Sequence, residues 1–217
     1  MSYKLIHGDC LEVMPTLADK SIDAVITDPP YGIDFKSNGQ LFTGAKSIYG
    51  DKTTELAEIV AKFYSGKTVM MFFSPYKPYN INWRNVLVWN KGGHVGIGGD
   101  RETCWKRDFE LIGVKDNRPL NGFRDSAVLN FNAVLPPPSG HFAEKPVGLM
   151  AYLIRKLTNP GDTIIDPFMG SGSTIVAAIQ EGRNAIGIER DADYFAIAQQ
   201  RCLEATYQPS LFAPQPT

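Results

Sequence analysis

Cysteine is scarce in this chain of 217 residues: Cys10, Cys104 and Cys202 stand far apart, with no C-x-x-C pair. That spacing speaks against a disulfide framework or a zinc site and fits a reducing compartment, the cytoplasm. No apolar run approaches the ~20 residues needed to span a bilayer. The opening MSYKLIHGDC lacks a basic stretch leading into an apolar core, so no secretory signal is expected. An excess of one charge is also missing, since 22 Lys/Arg against 23 Asp/Glu leave a net charge of −1. Global charge therefore does not announce a nucleic-acid partner, which would have to be met by a local patch. With 43% apolar and 21% charged residues the composition excludes wholesale disorder. What the chain does have is glycine (20) and proline (15), slightly rich, as in a loop-laden enzyme.

Apolar runs and turn signals alternate along the chain. Strands are expected at 3–7, 22–27, 67–73, 85–90, 108–114, 127–131, 162–166 and 185–189. Helices are expected at 11–18, 53–64, 145–157, 172–181 and 191–204. Asn159-Pro160-Gly161 stops the third of these, and Pro146 sits in its first turn, where a missing N–H costs nothing. Residues 37–50 and the glycine-rich 91–100 read as loops, and the PPPSG at 136–140 as an internal linker. The β-α-β-α run after residue 160 predicts a mostly parallel α/β sheet with helices on both faces. Residues 1–205 read as one domain and 206–217 as an exposed, proline-rich tail.

Two segments carry chemistry. The strand at 162–166 ends in Asp166-Pro167-Phe168-Met169-Gly170-Ser171-Gly172-Ser173-Thr174, a glycine turn that lets backbone approach a ligand closely. A dinucleotide fingerprint would need Gly or Ala where Ile175 stands, and a P-loop would need a lysine that is missing. A carboxylate at Asp166 would repel a pyrophosphate and suits an ammonium group. Glu189 ends the next strand, 17 positions beyond Gly172, where an acid accepts from ribose hydroxyls. A nucleoside with an ammonium and no phosphate fits both acids, and S-adenosylmethionine is such a molecule. The second segment is Asp28-Pro29-Pro30-Tyr31, which abruptly breaks an apolar strand. The prolines stiffen the backbone and leave carbonyls as acceptors beside a carboxylate and an aromatic ring. A planar group bearing an NH₂ fits that set: Tyr31 stacks on it, while Asp28 and the Pro29 carbonyl accept its two hydrogens.

These two motifs, in this order, resemble the amino-methylating DNA methyltransferases, and more narrowly their permuted β class. Gly8-Asp9-Cys10-Leu11, His141-x-x-x-Lys145-Pro146 and Gly182-Arg183…Gly187-Ile188-Glu189 extend the resemblance. It covers residues 5–33 and 141–204 closely, and 34–140 only in layout. The resemblance implies a Rossmann-like, doubly wound sheet of the class I methyltransferase type, circularly permuted. It implies a catalytic site at Asp28, Pro29, Pro30 and Tyr31. It implies S-adenosylmethionine as cofactor, with Asp28 touching it as well and with Asp166, Phe168, Gly170, Ser171, Gly172, Ser173 and Thr174 in its loop. Glu189 and Arg190 would lie at the ribose, Asp9 and Cys10 beside the adenine, and Lys145 at the methionine end. The implied reaction is in-line methyl transfer to the exocyclic amino group of a flipped base in double-stranded DNA. An initial Asp in D-P-P-Y leans towards adenine N6 and a Ser towards cytosine N4. An RNA or protein amino-methyltransferase and a non-catalytic DNA-binding module are the rival readings. The former resemble the unpermuted order with an initial Asn.

Residues 84–124 hold eight Lys/Arg against five Asp/Glu, a modest phosphate-binding candidate that includes Lys91, Arg101, Lys106, Arg107, Arg118 and Arg124. Fewer than thirty residues separate the strand at 108–114 from His141. So short a recognition insertion, around 91–140, predicts a short or relaxed recognition sequence, or a homodimer that supplies the missing surface, as in compact phage enzymes. In the tail, Gln208-Pro209-Ser210-Leu211-Phe212 resembles the peptide by which bacterial proteins bind the replication sliding clamp.

Overall fold

The protein is seen here in a computed structural model that describes residues 2–17, 21–33, 50–92, 108–116, 118–134 and 144–207. Strands β2 (Ala24–Thr27) and β3 (Thr68–Phe73) are buried at every position. Their sequences, AVIT and TVMMFF, are continuous rather than alternating because both faces are covered. With β1 (Tyr3–His7), β4 (Asn85–Asn90), β5 (Phe109–Lys115), β6 (Val128–Asn130), β7 (Thr163–Asp166) and β8 (Asn184–Glu189) they form one sheet. Its order is β1-β8-β7-β2-β3-β5-β4-β6. Neighbours from β1 to β3 are parallel, β5 is antiparallel to both β3 and β4, and β6 is parallel to β4. The sheet is mostly parallel, as the sequence led us to expect.

Side chains alternate across β3, which separates two cores. Met70 and Phe72 join Ala24, Ile26 and Ile112 under α3 (Val147–Leu157), α4 (Ser173–Gln180) and α5 (Ala192–Tyr207). Val69, Met71 and Phe73 join Val25 and Ile165 under α2 (Glu55–Phe63) and the short α1 (Cys10–Val13). Pro146 caps α3 instead of lying within it, and α5 runs to Tyr207, three residues past its expected end. The C-terminus of α3 is closed by Thr158, whose hydroxyl donates to the Ile154 carbonyl at 2.7 Å. Among the described residues no helix is long and apolar enough to cross a membrane.

The winding fixes where a ligand sits. From β7 the chain steps through β8 to its last helix, and β1 continues outward on that same side. On the other side β2 is followed by β3. The winding reverses between β7 and β2, and the crevice at the C-terminal ends of such strands is where open α/β sheets bind ligands. Asp166 and Asp28 stand at those two ends. The permutation changes only where the chain starts.

Gly113 on β5 shows how tightly this frame is packed. A Cβ there would lie 2.3 Å from the Trp83 ring, which stacks on Phe73 at 6.0 Å between centroids. A rigid ring between two strands has little room to give. Gly113→Ala should therefore cost ~1–3 kcal/mol, read as a thermal midpoint lowered by several degrees. An unchanged midpoint would show that Trp83 moves freely.

Candidate active site

The C-terminal ends of β1, β8, β7 and β2 present the expected residues in a row. Gly8 is tied to β8 by its N–H, which donates to the Glu189 carbonyl at 2.9 Å. Asp9 caps α1 by accepting from Leu11 N–H at 2.9 Å, and Arg190 reaches its other oxygen at 3.3 Å. Cys10 is buried, and burial, then Asp9, pushes its thiol up to about 11. A buried thiol held this high is no nucleophile.

Glu189 organises the glycine turn from the next strand. One oxygen accepts from Gly170 N–H at 2.9 Å and the other from Asp191 N–H at 2.7 Å. Arg190 N–H is a further donor, and the four lone pairs of the carboxylate still leave room for a hydroxyl. Gly170 and Gly172 are left-handed, with φ of 52° and 86°, and Gly172 leads into α4. Ser171 and Ser173 face α5, where Arg201 donates to the Ser171 carbonyl and hydroxyl, both at 2.8 Å, and pairs with Glu144 at 2.9 Å. Arg201 is a clamp on this turn that sequence reasoning missed. Asp166 is buried, accepting from Thr27 Oγ1 at 2.5 Å and Phe168 N–H at 3.0 Å, with Thr174 as a further donor. Burial raises its carboxyl to about 6, against the pull of those donors. Two acids, turn backbone and no lysine suit the ammonium and ribose of S-adenosylmethionine and would repel a phosphate.

One strand over, Asp28 sits in a cage. Tyr31 Oη lies 2.7 Å from Asp28 Oδ1 and 2.9 Å from Glu110 Oε2, so its one proton serves either carboxylate. Lys145 Nζ is ion-paired with Asp28 Oδ2 and lies 3.3 Å from Glu110 Oε2. Lys91 Nζ closes the set on Glu110 Oε1 at 2.5 Å. The rings of Phe72, Tyr31 and Trp89 surround the Lys145 ammonium, with centroids at 4.9, 5.6 and 5.8 Å. Trp89 is held by its indole N–H, which donates to the Phe131 carbonyl at 2.7 Å. Burial raises the Asp28 carboxyl above the usual range, Glu110 adds to this, and Lys145 opposes it. Burial would raise Glu110 too, but Lys145 and Lys91 outweigh it and hold Glu110 below its ordinary value. Burial, Asp28 and Glu110 together push the Tyr31 phenol well up, so it stays a donor.

Supports hold the turn from outside. The buried Asp51 accepts from Gly32 N–H at 2.7 Å, and a Cβ on Gly32 would lie 2.9 Å from the Thr53 backbone. Tyr79 Oη lies 3.2 Å from the Phe72 carbonyl and 3.4 Å from that of Pro30.

Several expectations change. The resemblance puts Lys145 at the methionine end, yet its ammonium here lies on Asp28 and Glu110. The charge count makes Lys91 a phosphate contact, but its ammonium turns inward to the part-buried Glu110. Arg118 lies at the opposite end of the sheet, because antiparallel β5 carries the chain away from Asp28. It donates there to the Leu157 carbonyl at 2.8 Å and lies 3.4 Å from Asp162. Arg124 is exposed on the loop that Lys156 fastens through the Phe123 carbonyl at 2.7 Å. Arg101, Lys106, Arg107, His141 and Gln208–Phe212 lie outside the described residues. Sequence reasoning also missed Glu110, Asp51, Tyr79, Phe72 and Trp89. The readable signal for Glu110 was an acid within an apolar strand, FELIGV.

Comparison with known proteins now decides the family. Residues 83–200 match the DNA methylase family of N6 and N4 enzymes. The methylase YubD of Escherichia coli K12 is 30% identical over 91% of this chain and 89% of its own length. This chain belongs to the DNA methylase family. The DNA adenine methyltransferase YhdJ of Escherichia coli K12 is 24% identical over 91% of this chain and 81% of its own. Two solved structures share the fold. The S-adenosylmethionine complex of M1.HpyAVI has a TM-score of 0.66 at 23% identity, covering 92% of this chain and 98% of that one. The cytosine-N4-specific PvuII DNA methyltransferase has a TM-score of 0.72 at 17% identity, covering 93% and 86%. The methylase is thus a Rossmann-like α/β, S-adenosylmethionine-dependent amino-methyltransferase whose substrate is DNA.

An ammonium held by the Asp166 carboxyl would make cofactor binding depend on pH. The raised value of that carboxyl means that it is ionised above about pH 6 and neutral below. An ammonium ligand needs the ionised form, so affinity for S-adenosylmethionine should weaken below about pH 6, approaching about tenfold per pH unit. Thr27→Ala removes a donor to the carboxylate and should move the midpoint to higher pH. Calorimetric titration between pH 5 and 8 checks this, and a flat profile would separate Asp166 from the ammonium.

Proposed function

We propose that this methylase transfers the methyl group to the N6 amino nitrogen of adenine in double-stranded DNA, within a short or relaxed recognition sequence. The observation that carries the reading is Asp28: a part-buried carboxylate heading the Pro-Pro turn, beside an aromatic ring, at the switch point next to the cofactor turn. An Asp in that place leans towards adenine, and the kinship with an enzyme named as a DNA adenine methyltransferase supports it.

S-adenosylmethionine, when bound, supplies a methyl group on a sulfonium. Everything else falls to this chain. Tyr31 offers its ring for the flipped base to stack on, which offsets part of the few kcal/mol needed to unstack it. Asp28 and the Pro29 carbonyl accept the two amino hydrogens and so turn the nitrogen lone pair towards the methyl. Asp166 and Glu189 hold the ammonium and ribose ends one and two strands away, which fixes the line of attack. Positioning and pre-aimed acceptors of this kind lower the barrier without a covalent enzyme intermediate. The short insertion before His141 supports a relaxed sequence or a second copy that completes the DNA surface. The Gln208–Phe212 segment supports a tether to the sliding clamp in a bacterial or phage-infected cytoplasm. Cytosine N4 presents the same amino-and-ring-nitrogen edge and is the second reading, favoured by the likeness to the PvuII fold.

Nucleoside mass spectrometry of unmethylated DNA incubated with the methylase and labelled cofactor decides between them. N6-methyladenine is expected. Asp28→Ala should lower turnover at least ~100-fold with cofactor binding retained. Tyr31→Ala should lose roughly tenfold more than Tyr31→Phe, which keeps the ring. N4-methylcytosine would overturn the choice of base, and no modified nucleoside would overturn the reading as a whole.

A further inference from the structure

An amino group arriving in the arrangement seen here must share both oxygens of Asp28 with groups already on them. Asp28 Oδ1 lies 2.7 Å from the Tyr31 hydroxyl, and its Oδ2 is ion-paired with Lys145. The ammonium sits on the carboxylate as an exocyclic amino group would, and it is the stronger competitor because its hydrogen bonds are charge-assisted. It also draws electron density from Asp28 and so makes it a poorer acceptor.

Both competitors share one alternative. Glu110 Oε2 lies 2.9 Å from Tyr31 Oη and 3.3 Å from Lys145 Nζ. The same oxygen can take the phenol proton by a rotation and the ammonium by a small shift, which would free both oxygens of Asp28. Glu110 is built to stay in place while this happens. It lies inside β5, paired across the sheet with Trp89 on β4. Its other oxygen is held by Lys91, whose own backbone N–H donates to the Asp108 carbonyl at 2.8 Å. The cage of Phe72, Tyr31 and Trp89 rings accommodates an ammonium on either carboxylate.

We infer that Glu110 is a positioning residue for methyl transfer: it takes Lys145 and the Tyr31 proton off Asp28 as the base amino group arrives, with Lys91 keeping Glu110 charged and fixed. This rests on Asp28 being the acceptor for that amino group, and it holds for adenine or cytosine. Removing Glu110 leaves Lys145 on Asp28. The carboxylate would then bind its proton less tightly and accept from the base less well.

The test uses Glu110→Gln, Glu110→Asp and the charge-balanced pair Glu110→Gln with Lys91→Met, assayed by steady-state methyl transfer to DNA across pH. The groups facing Asp28 in that profile are Tyr31 on its own turn, Glu110 on β5, Lys145 at the head of α3, Asp166 at the end of β7 and Tyr79 after β3. In Glu110→Gln and in the pair, kcat should fall about tenfold or more while the KM for S-adenosylmethionine stays within about twofold. The acid limb should move to lower pH, since Glu110 no longer raises Asp28. Glu110→Asp, which keeps the charge on a shorter stem, should recover part of kcat. Should Glu110→Gln fold poorly because two ammoniums face one carboxylate, the pair and Glu110→Asp carry the test. Wild-type kcat and pH limbs in the pair would overturn the inference. So would a loss confined to the KM for the cofactor, which would put Lys145 back at the methionine end. A wild-type enzyme that methylates no DNA would instead fail the functional reading.

Discussion

Two carboxylates end neighbouring parallel strands, Asp166 on β7 and Asp28 just beyond β2, and Thr27 Oγ1 joins the two ends by a 2.5 Å hydrogen bond to Asp166. The site depends on that adjacency. Parallel strands lie roughly 4.8 Å apart, so a donor held at one end and an acceptor held at the next are within reach of one another. The reversal of winding opens the crevice at that point. The sheet itself sets these two ends side by side, and the two cores on its faces pack against it.

Burying acids at a strand end is costly unless they are paired or hydrogen-bonded. The two carboxylates solve this differently. Asp166 has hydroxyl and backbone donors around it and no described cation in hydrogen-bond contact, so its carboxyl stays high, at about 6. Asp28 shares Lys145 with Glu110, and Glu110 has Lys91 as well, so that two ammoniums balance two carboxylates. The first arrangement suits a cationic ligand. The second is neutral already, and on the role proposed for Glu110 it rearranges when an uncharged amino group arrives. Two carboxylates around one lysine give that rearrangement somewhere to go.

How far the sequence is legible follows from how local each signal is. The glycine turn from Asp166 to Thr174 and the Asp28–Tyr31 turn are contiguous stretches whose chemistry is carried by their own residues, and both stand where a strand meets a turn. The strands themselves show as apolar runs because both faces of the sheet are covered. Glu110 is 79 positions from Tyr31 along the chain, and only the register of β5 against β3 and β4 brings it to the site. Lys91 follows a strand, where a lysine is ordinarily solvated. Nothing local says that a part-buried acid lies beside it. Arg118 lies away from Asp28 for a topological reason, since a count of positive charges does not say which end of an antiparallel strand each one reaches. Lys145 was recognised as part of the site, but its partner depends on where the head of α3 lies over the sheet.

A crystal structure of the methylase with adenine-containing duplex DNA and S-adenosylhomocysteine would test the account most directly. The account predicts the exocyclic amino nitrogen within hydrogen-bond distance of Asp28, the base stacked on Tyr31, and the Lys145 ammonium moved onto Glu110. A base bound elsewhere, with Lys145 still seated on Asp28, would contradict it.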